Sequence, residues 1–169
     1  LKTKKVNRLQ DELKEAGRAA DQAARYAATD RGEEEDRYFF PRLDGAEMRS
    51  RWDMQEAPPD IFITNFSMLS IMLMRDVEHG IFEKTRDWLK KDGSVFHLIL
   101  DELHLYRGTS GTEVAYLIRL LLDRLGLEPG DEKLQILASS ASLEPDDEDS
   151  LDFLSDFFGT SWTGEQIVQ

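Results

Sequence analysis

The chain has 169 residues, of which 40% are hydrophobic and 33% charged, a composition ordinary for a soluble domain with a buried core. It contains no cysteine, which excludes disulfides and thiolate metal sites in this sequence and fits a cytoplasmic location. The longest apolar run, residues 61–74, is short and interrupted by polar residues, so we expect no membrane partner. The formal net charge of −13 opposes general attraction to nucleic acid, but most of the excess lies in residues 127–169, which leaves local contacts possible elsewhere.

The first third of the chain predicts one dominant helix. Apolar side chains recur at three- and four-residue intervals between residues 6 and 27, as on one face of a long helix. Residues 37–42 predict a short strand, in which Pro41 suits an edge or a strand end. Asp44-Gly45 predicts a turn, and residues 46–55 predict a short helix or a loop.

The rest of the chain alternates between strands and helices. The pattern predicts strands at residues 61–64, 95–100 and 134–138 and helices at residues 66–74, 82–91, 114–125 and 151–158. Ser110 and Glu113 form a capping-box pattern before the third of these helices, and Gly126 marks its end. Residues 95–100 are nearly all apolar, as in a parallel strand covered on both faces. We therefore predict an α/β fold with a mainly parallel sheet and helices on both faces.

Two adjacent carboxylates, Asp101 and Glu102, follow the most apolar of the predicted strands. The carboxyl edge of an open α/β sheet is where ligands bind. An Asp at this edge can hold Mg²⁺ directly or through water, and a neighbouring Glu can orient or deprotonate an attacking water. The alternative is a strand-end pair that only caps the following turn.

Three segments resemble motifs of the DEAD/DEAH-box helicases of superfamily two. Asp101-Glu102-Leu103-His104 resembles their Walker B motif, which reads Asp-Glu-x-His or Asp-Glu-x-Asp. Thr64-Asn65 resembles the strand-end turn of motif Ib, and Ser140-Ala141-Ser142 resembles motif III, with serine in place of the usual threonine. Tyr106-Arg107-Gly108 is similar to a run found in a bacterial, MrfA-like subgroup.

The resemblance implies a RecA-like ATPase lobe of a nucleic-acid helicase that uses ATP and Mg²⁺. Asp101 would then serve the Mg²⁺ and Glu102 the water. His104 would link the ATP site to motif III through a hydrogen bond near Ser140 or Ser142. Ser140, Ala141 and Ser142 would form the coupling motif, for which the alternative is a serine-rich loop that only caps the acidic helix that follows.

Four residues are candidates for nucleic-acid contact. Thr64, Asn65 and Ser67 offer hydroxyl and amide groups beside a predicted helix start, which suits a phosphate oxygen. Asn65 could equally be an ordinary helix N-cap. Arg107 lies in a loop of small residues beside the carboxylates and could either approach a nucleic-acid backbone or pair with a neighbouring acid. DNA is favoured over RNA only because the subgroup that the chain resembles acts on DNA.

The sequence lacks two parts that an ATP-driven motor needs. No Gly-x-x-x-x-Gly-Lys-Ser/Thr phosphate loop is present, and neither is a second RecA-like lobe. The sequence also begins without a methionine. We therefore expect residues 1–169 to be the later part of the first lobe of a larger protein and to be inactive by themselves. The alternatives are a catalytically inactive helicase-like scaffold and a metal-dependent hydrolase. The hydrolase would use Asp101, Glu102 and His104, which do not make a complete set of metal ligands.

Overall fold

The computed structural model describes residues 2–40, 45–48 and 50–168. The chain divides into two units, Leu1–Asp53 and Met54–Gln169. No helix in the described part of the chain has the length and apolar content that crossing a membrane requires.

The first unit consists mainly of α1, Lys2–Ala27, which confirms the predicted long helix. A 3-10 helix follows at Glu34–Tyr38, so the strand predicted at residues 37–42 is wrong for residues 37–40. The reason is local, because Asp36 accepts a hydrogen bond from the backbone N–H of Glu33 at 2.9 Å and thereby holds a helical turn. Residues 41 and 42, and Asp44 of the predicted turn, lie outside the described residues.

The second unit contains most of the regular structure, and one short helix crosses the division between the units. The helices are α2 (Arg51–Glu56), α3 (Phe66–Met74), α4 (His79–Leu89), α5 (Thr109–Leu125) and α6 (Glu148–Phe158), and the strands are β1 (Phe96–Leu100) and β2 (Leu134–Ala138). Short 3-10 helices lie at Asp76–Glu78, Leu103–Leu105 and Gly164–Gln166. The α/β prediction is confirmed, and β1 and β2 each lie within a residue of the predicted bounds.

The strands β1 and β2 pair in parallel and are connected through α5. Their register sets Phe96 opposite Leu134 and Leu100 opposite Ala138. Alternate residues of both strands pack against the hydrophobic core, as expected for a pleated strand. The opposite face of the pair is exposed in the part of the chain that the structure describes, and Ile99 on that face is 70% exposed.

The strand predicted at residues 61–64 does not form in the structure. A strand needs a neighbouring strand to complete its backbone hydrogen bonds. The described residues supply no such neighbour here, and the Ile63 side chain is 92% exposed. The sequence pattern detected an apolar segment correctly, but an apolar pattern does not by itself supply the neighbouring strand that pairing needs.

The core is built around α5. Its buried side chains form one stripe with members of α3, α4 and α6, namely Leu73, Phe82, Val114, Ile118, Leu121, Leu122, Leu125, Leu154 and Phe158. Gly126 ends α5 in the left-handed conformation at φ +71°, as predicted. The predicted capping box is wrong, because Gly108 precedes the first helical residue and Ser110 lies inside the helix. At φ +69° and ψ −146°, Gly108 adopts a backbone conformation that favours glycine and brings the chain into the helix two residues earlier.

Candidate functional site

The carboxylate pair lies where the hydrogen-bond ladder between β1 and β2 ends. The register places Ser139, the residue after β2, level with Asp101, the residue after β1. Ser139 extends the ladder by one step, since its N–H donates to the carbonyl of Leu100 at 2.9 Å and its carbonyl accepts from the N–H of Leu103 at 2.8 Å. The Leu103 side chain is fully buried. The turn that carries Asp101 and Glu102 is therefore fixed by main-chain bonds on one side and by a core residue on the other.

The hydroxyl of Ser139 adds two further bonds to this turn. It donates to Asp101 Oδ1 at 2.5 Å and accepts from the N–H of Glu102 at 2.9 Å. The same N–H also lies 3.1 Å from Asp101 Oδ1. Two donors thus engage Oδ1, whereas no described residue donates to Oδ2. Ser139 was missed by sequence reasoning, and its only signal was its position directly after the second strand.

Glu102 has a strained backbone. It is left-handed, at φ +54° and ψ +48°, and among the described residues it is the one non-glycine residue with positive φ. A side chain other than glycine in this region costs about 1–2 kcal/mol. Such outliers concentrate at functional sites, so the strain itself supports a functional hypothesis for this turn. The Glu102 side chain is 57% exposed.

His104 lies beside Glu102. Its Nδ1 is 3.2 Å from Glu102 Oε2, but the pair lacks hydrogen-bond alignment, so the contact is an ion pair only when the imidazole is protonated. The hydrogen bond predicted between His104 and Ser140 or Ser142 is absent from the described residues. The cause is the 3-10 turn Leu103–Leu105, which keeps His104 next to its own carboxylate neighbour.

Arg107 contacts the motif III-like loop. Its guanidinium donates to Ser142 Oγ at 3.2 Å and lies 5.5 Å from the centre of the Phe153 ring. A hydrogen bond from Ser150 lowers the pKa of Asp147, burial opposes this shift, and the positive charge of Arg107 adds to the lowering. The alternative that Arg107 interacts with a neighbouring acid therefore has a physical basis. Its contact with nucleic acid stays a prediction.

The other two members of the predicted coupling motif make weaker contacts. Ser140 Oγ accepts from the N–H of Ser142 at 3.4 Å, and Ala141 is exposed. The serines that follow β2 therefore make different contacts. Ser139 bonds the carboxylate turn, and Ser142 bonds Arg107.

Two glycines shape the loop between the carboxylates and α5. Gly108 has the positive φ described above. A Cβ on Gly111 would lie 2.0 Å from the carbonyl oxygen of Tyr106, a distance that no side chain tolerates. The backbone of Tyr106 thus lies against the first turn of α5, and this close approach requires glycine at position 111.

Three of the four predicted nucleic-acid residues lie at the start of α3. Asn65 Oδ1 accepts from the N–H of Met68 at 2.9 Å, which confirms Asn65 as the N-cap. Thr64 donates a long bond of 3.4 Å to the carbonyl of Asn65, and Thr64, Asn65 and Ser67 are all exposed. The polar groups of these residues are therefore accessible to solvent, although Asn65 Oδ1 already accepts the capping hydrogen bond.

A series of aromatic contacts joins this helix start to the loop after the carboxylates. The Phe66 ring meets the Tyr106 ring edge-on at 6.5 Å, and Tyr106 stacks on Phe157 at 6.5 Å. Phe157 contacts Phe153, which lies under Arg107. The structure therefore brings the Asn65 cap, Arg107 and the carboxylate turn into one contiguous region of the second unit.

The described residues contain no cluster of three or more His, Cys, Asp or Glu side chains that could hold a metal ion. A cation at Asp101 would therefore take most of its ligands from outside this chain. Mg²⁺ is suited to such a site, because it is usually bound by one or two carboxylates and otherwise by water and phosphate oxygens.

Similarity to known proteins covers parts of the chain. Over 121 residues, 71% of this chain, the sequence is 45% identical to the Druantia protein DruE of Escherichia coli. Over 97 residues, 57% of this chain, it is 31% identical to an uncharacterized ATP-dependent helicase, MJ1574, of Methanocaldococcus jannaschii. No family model and no solved structure matches the chain. The chain spans 6% and 13% of the length of these two relatives, and the similarities suggest a helicase-related family without indicating an MrfA-like subgroup.

Proposed function

We propose that residues 1–169 are the later part of the first RecA-like lobe of an ATP-dependent nucleic-acid helicase or translocase. The observation that carries the proposal is the position of Asp101 and Glu102 in an exposed, strained turn at the carboxyl end of a parallel strand. Open α/β sheets bind their ligands at this end. The 31% identity to a protein described as an ATP-dependent helicase supports the same assignment.

The two carboxylates have different roles in this proposal. Bound ATP and Mg²⁺ supply the phosphoryl group and the cation that neutralises its oxygens. Asp101 would hold the cation, directly or through water, and Oδ2 is its available oxygen because Oδ1 is already engaged by two donors. Glu102 orients or deprotonates the attacking water with an exposed carboxylate. His104 lies next to Glu102 and adds positive charge to the site when protonated.

The nucleic-acid contacts are assigned to Thr64, Asn65, Ser67 and Arg107. The three residues at the start of α3 expose hydroxyl and amide groups, which suit phosphate oxygens and carry no base preference. DNA is the proposed partner, since Tyr106-Arg107-Gly108 resembles the MrfA-like subgroup. A cytoplasmic location, which the absence of cysteine fits, belongs to the same proposal.

The loop after β2 is the proposed coupling segment, comprising Ser140, Ala141 and Ser142. The hydrogen bond from Arg107 to Ser142 ties this loop to the loop that follows the carboxylates. A shift of either loop would therefore be transmitted to the other. This contact supports coupling through Ser142 more directly than through Ser140.

The test uses the full-length protein that carries this chain. Glu102→Gln removes the charge and keeps the shape, so we expect hydrolysis of ATP to fall roughly 10²–10⁴-fold while ATP still binds. Asp101→Asn should weaken Mg²⁺-dependent nucleotide binding as well. Glu113→Gln, the same charge change at an exposed position of α5, is the control and should leave both quantities unchanged. Nucleotide affinity and single-turnover hydrolysis are measured for each variant.

Three results would contradict the proposal in different ways. Near-normal hydrolysis by the Glu102→Gln protein would mean that the pair is a strand-end cap. A wild-type protein that binds nucleic acid but never hydrolyses ATP would favour the scaffold alternative. Steady turnover by the isolated 169-residue chain would contradict its assignment as an incomplete lobe.

A further inference from the structure

We infer that Ser139 is a positioning residue for the carboxylate pair, which it orients for cation binding and for attack by water. The inference rests on the proposed ATPase function and goes beyond the motif III-like residues, since Ser139 precedes them. Ser139 is the residue whose side chain contacts both Asp101 and Glu102.

The Ser139 hydroxyl restricts the orientation of the Asp101 carboxylate. A carboxylate with two free oxygens can rotate and bind a cation in several ways. Here the Ser139 hydroxyl and the Glu102 N–H both bond Oδ1, which fixes the plane of the group and leaves Oδ2 for the cation. Hydrogen bonds to the outer oxygen of a ligating carboxylate commonly set its orientation, and removing them usually costs activity or metal affinity.

The same hydroxyl also supports the backbone of Glu102. Its left-handed backbone is unfavourable for a residue with a side chain, so other interactions must hold it there. The Ser139 hydroxyl accepts the N–H of this strained residue at 2.9 Å. One hydroxyl therefore fixes the cation-binding oxygen and the backbone that carries the water-activating carboxylate.

The side chain and the backbone of Ser139 make separate contacts. The backbone N–H and carbonyl of Ser139 bond Leu100 and Leu103, and these bonds do not depend on the side chain. Ser139→Ala therefore removes the two hydroxyl contacts and keeps the ladder. Ser139→Thr retains a hydroxyl, and the exposed position leaves room for the added methyl group.

A matched control lies at the other end of β1. Ser94 is buried, and its hydroxyl contacts the carbonyl oxygens of Leu89 and Lys91 at 3.0 and 2.7 Å. Ser94→Ala thus removes a serine hydroxyl with two close backbone contacts, from a position before β1 where the hydroxyl contacts backbone carbonyls and no carboxylate. If the role of Ser139 were purely structural, Ser139→Ala and Ser94→Ala would change ATP hydrolysis to a similar degree.

The first measurement is amide hydrogen exchange by NMR on the 169-residue chain, with no nucleotide. Ser139→Ala should raise the exchange rate of the Glu102 amide about fivefold, the equivalent of one lost hydrogen bond. The Leu103 amide, which bonds the backbone carbonyl of Ser139, is the internal reference and should change little. Unchanged exchange at Glu102 would overturn the inferred contact.

The second measurement is steady-state ATP hydrolysis by the full-length protein at varied Mg²⁺. Ser139→Ala should lower kcat roughly 10-fold or more and raise the Mg²⁺ concentration for half-maximal rate, while Ser139→Thr restores both. Ser94→Ala should leave both near the wild-type values. A wild-type rate in Ser139→Ala overturns this inference alone, whereas the absence of hydrolysis in the wild-type protein overturns the proposed function and the catalytic part of the inference with it.

Discussion

The chain adopts a left-handed backbone conformation at both ends of β1, but with a different kind of residue at each end. Before β1 begins, the chain turns through the left-handed region at Gly93, φ +73°, and after β1 stops it does so again at Glu102, φ +54°. Glycine adopts this conformation at little steric cost, whereas glutamate does not. The turn before β1 thus has the residue that favours stability, and the turn after β1 has a glutamate with a strained backbone.

The polar side chains at the two ends of the sheet also differ in the groups that they contact. At the start of the sheet, Ser94 and Lys133 direct their donors at the carbonyl oxygens of Leu89 and Lys91, where α4 ends. These contacts supply hydrogen-bond donors to carbonyl groups at the end of a helix, where the intrahelical donors run out. At the opposite end, Asp101 Oδ2 receives no hydrogen bond from the described residues. The side chains at the start of the sheet thus serve the backbone, whereas the opposite end leaves an exposed carboxylate oxygen beside a strained residue.

The largest expected effect concerns glycine packing after β1. Gly111→Ala would force a Cβ to within 2.0 Å of the Tyr106 carbonyl oxygen, so we expect a loss of about 3 kcal/mol in the free energy of unfolding. Gly93→Ala, before β1, faces open space and should cost only about 1 kcal/mol, from its positive φ. Urea unfolding of both variants measures the difference. Equal losses would show that the loop after β1 can relax and is not closely packed.

The second prediction tests whether the left-handed backbone of Glu102 lowers stability while its side chain is needed for activity. Glu102→Gly relieves the left-handed strain, and we expect the free energy of unfolding of the chain to rise by about 1 kcal/mol. The same variant in the full-length protein should lose ATP hydrolysis. Gly93→Ala is the mirror change at the other end, with the opposite sign on stability and no loss of the carboxylate. If Glu102→Gly destabilises the chain, the side chain makes contacts that outweigh its backbone strain.

The smallest effect separates capping from phosphate contact at Asn65. Asn65→Ala removes the bond to the Met68 N–H and should lower the free energy of unfolding by about 0.5–1 kcal/mol. Asn65→Asp keeps the cap, because aspartate caps helices as well as asparagine does. It also places a negative charge where a phosphate is proposed, so single-stranded DNA should bind less tightly to the full-length protein.

The outcome depends on comparing stability with DNA affinity in the two variants. Chemical denaturation measures the first quantity, and fluorescence anisotropy with labelled DNA at low salt measures the second. Unchanged DNA affinity in Asn65→Asp, with normal stability, would leave Asn65 as a helix cap and nothing more. Weakened binding by several unrelated DNA sequences to a similar degree would support phosphate contact.

Local signals in the sequence predicted much of the second unit. The α5 stripe, the Asn65 cap and the Gly126 stop each depend on residues within a few positions of one another, and the structure has all three. The predicted strand at residues 61–64 failed, since a strand depends on a partner that its own sequence does not contain. The capping box at Ser110 failed because Gly108 offered an earlier helix start.

The sequence by itself determined that an apolar strand ends in Asp101 and Glu102 and that a serine-rich segment follows a second apolar strand. It could not determine which serine meets the carboxylates. That was decided by the register of β1 on β2, which sets Leu100 opposite Ala138 and so brings Ser139 level with Asp101. A shift of one residue would present a different hydroxyl, since successive side chains of a strand point to opposite faces. The motif is therefore a property of the sequence, and the geometry of the site is a property of the pairing.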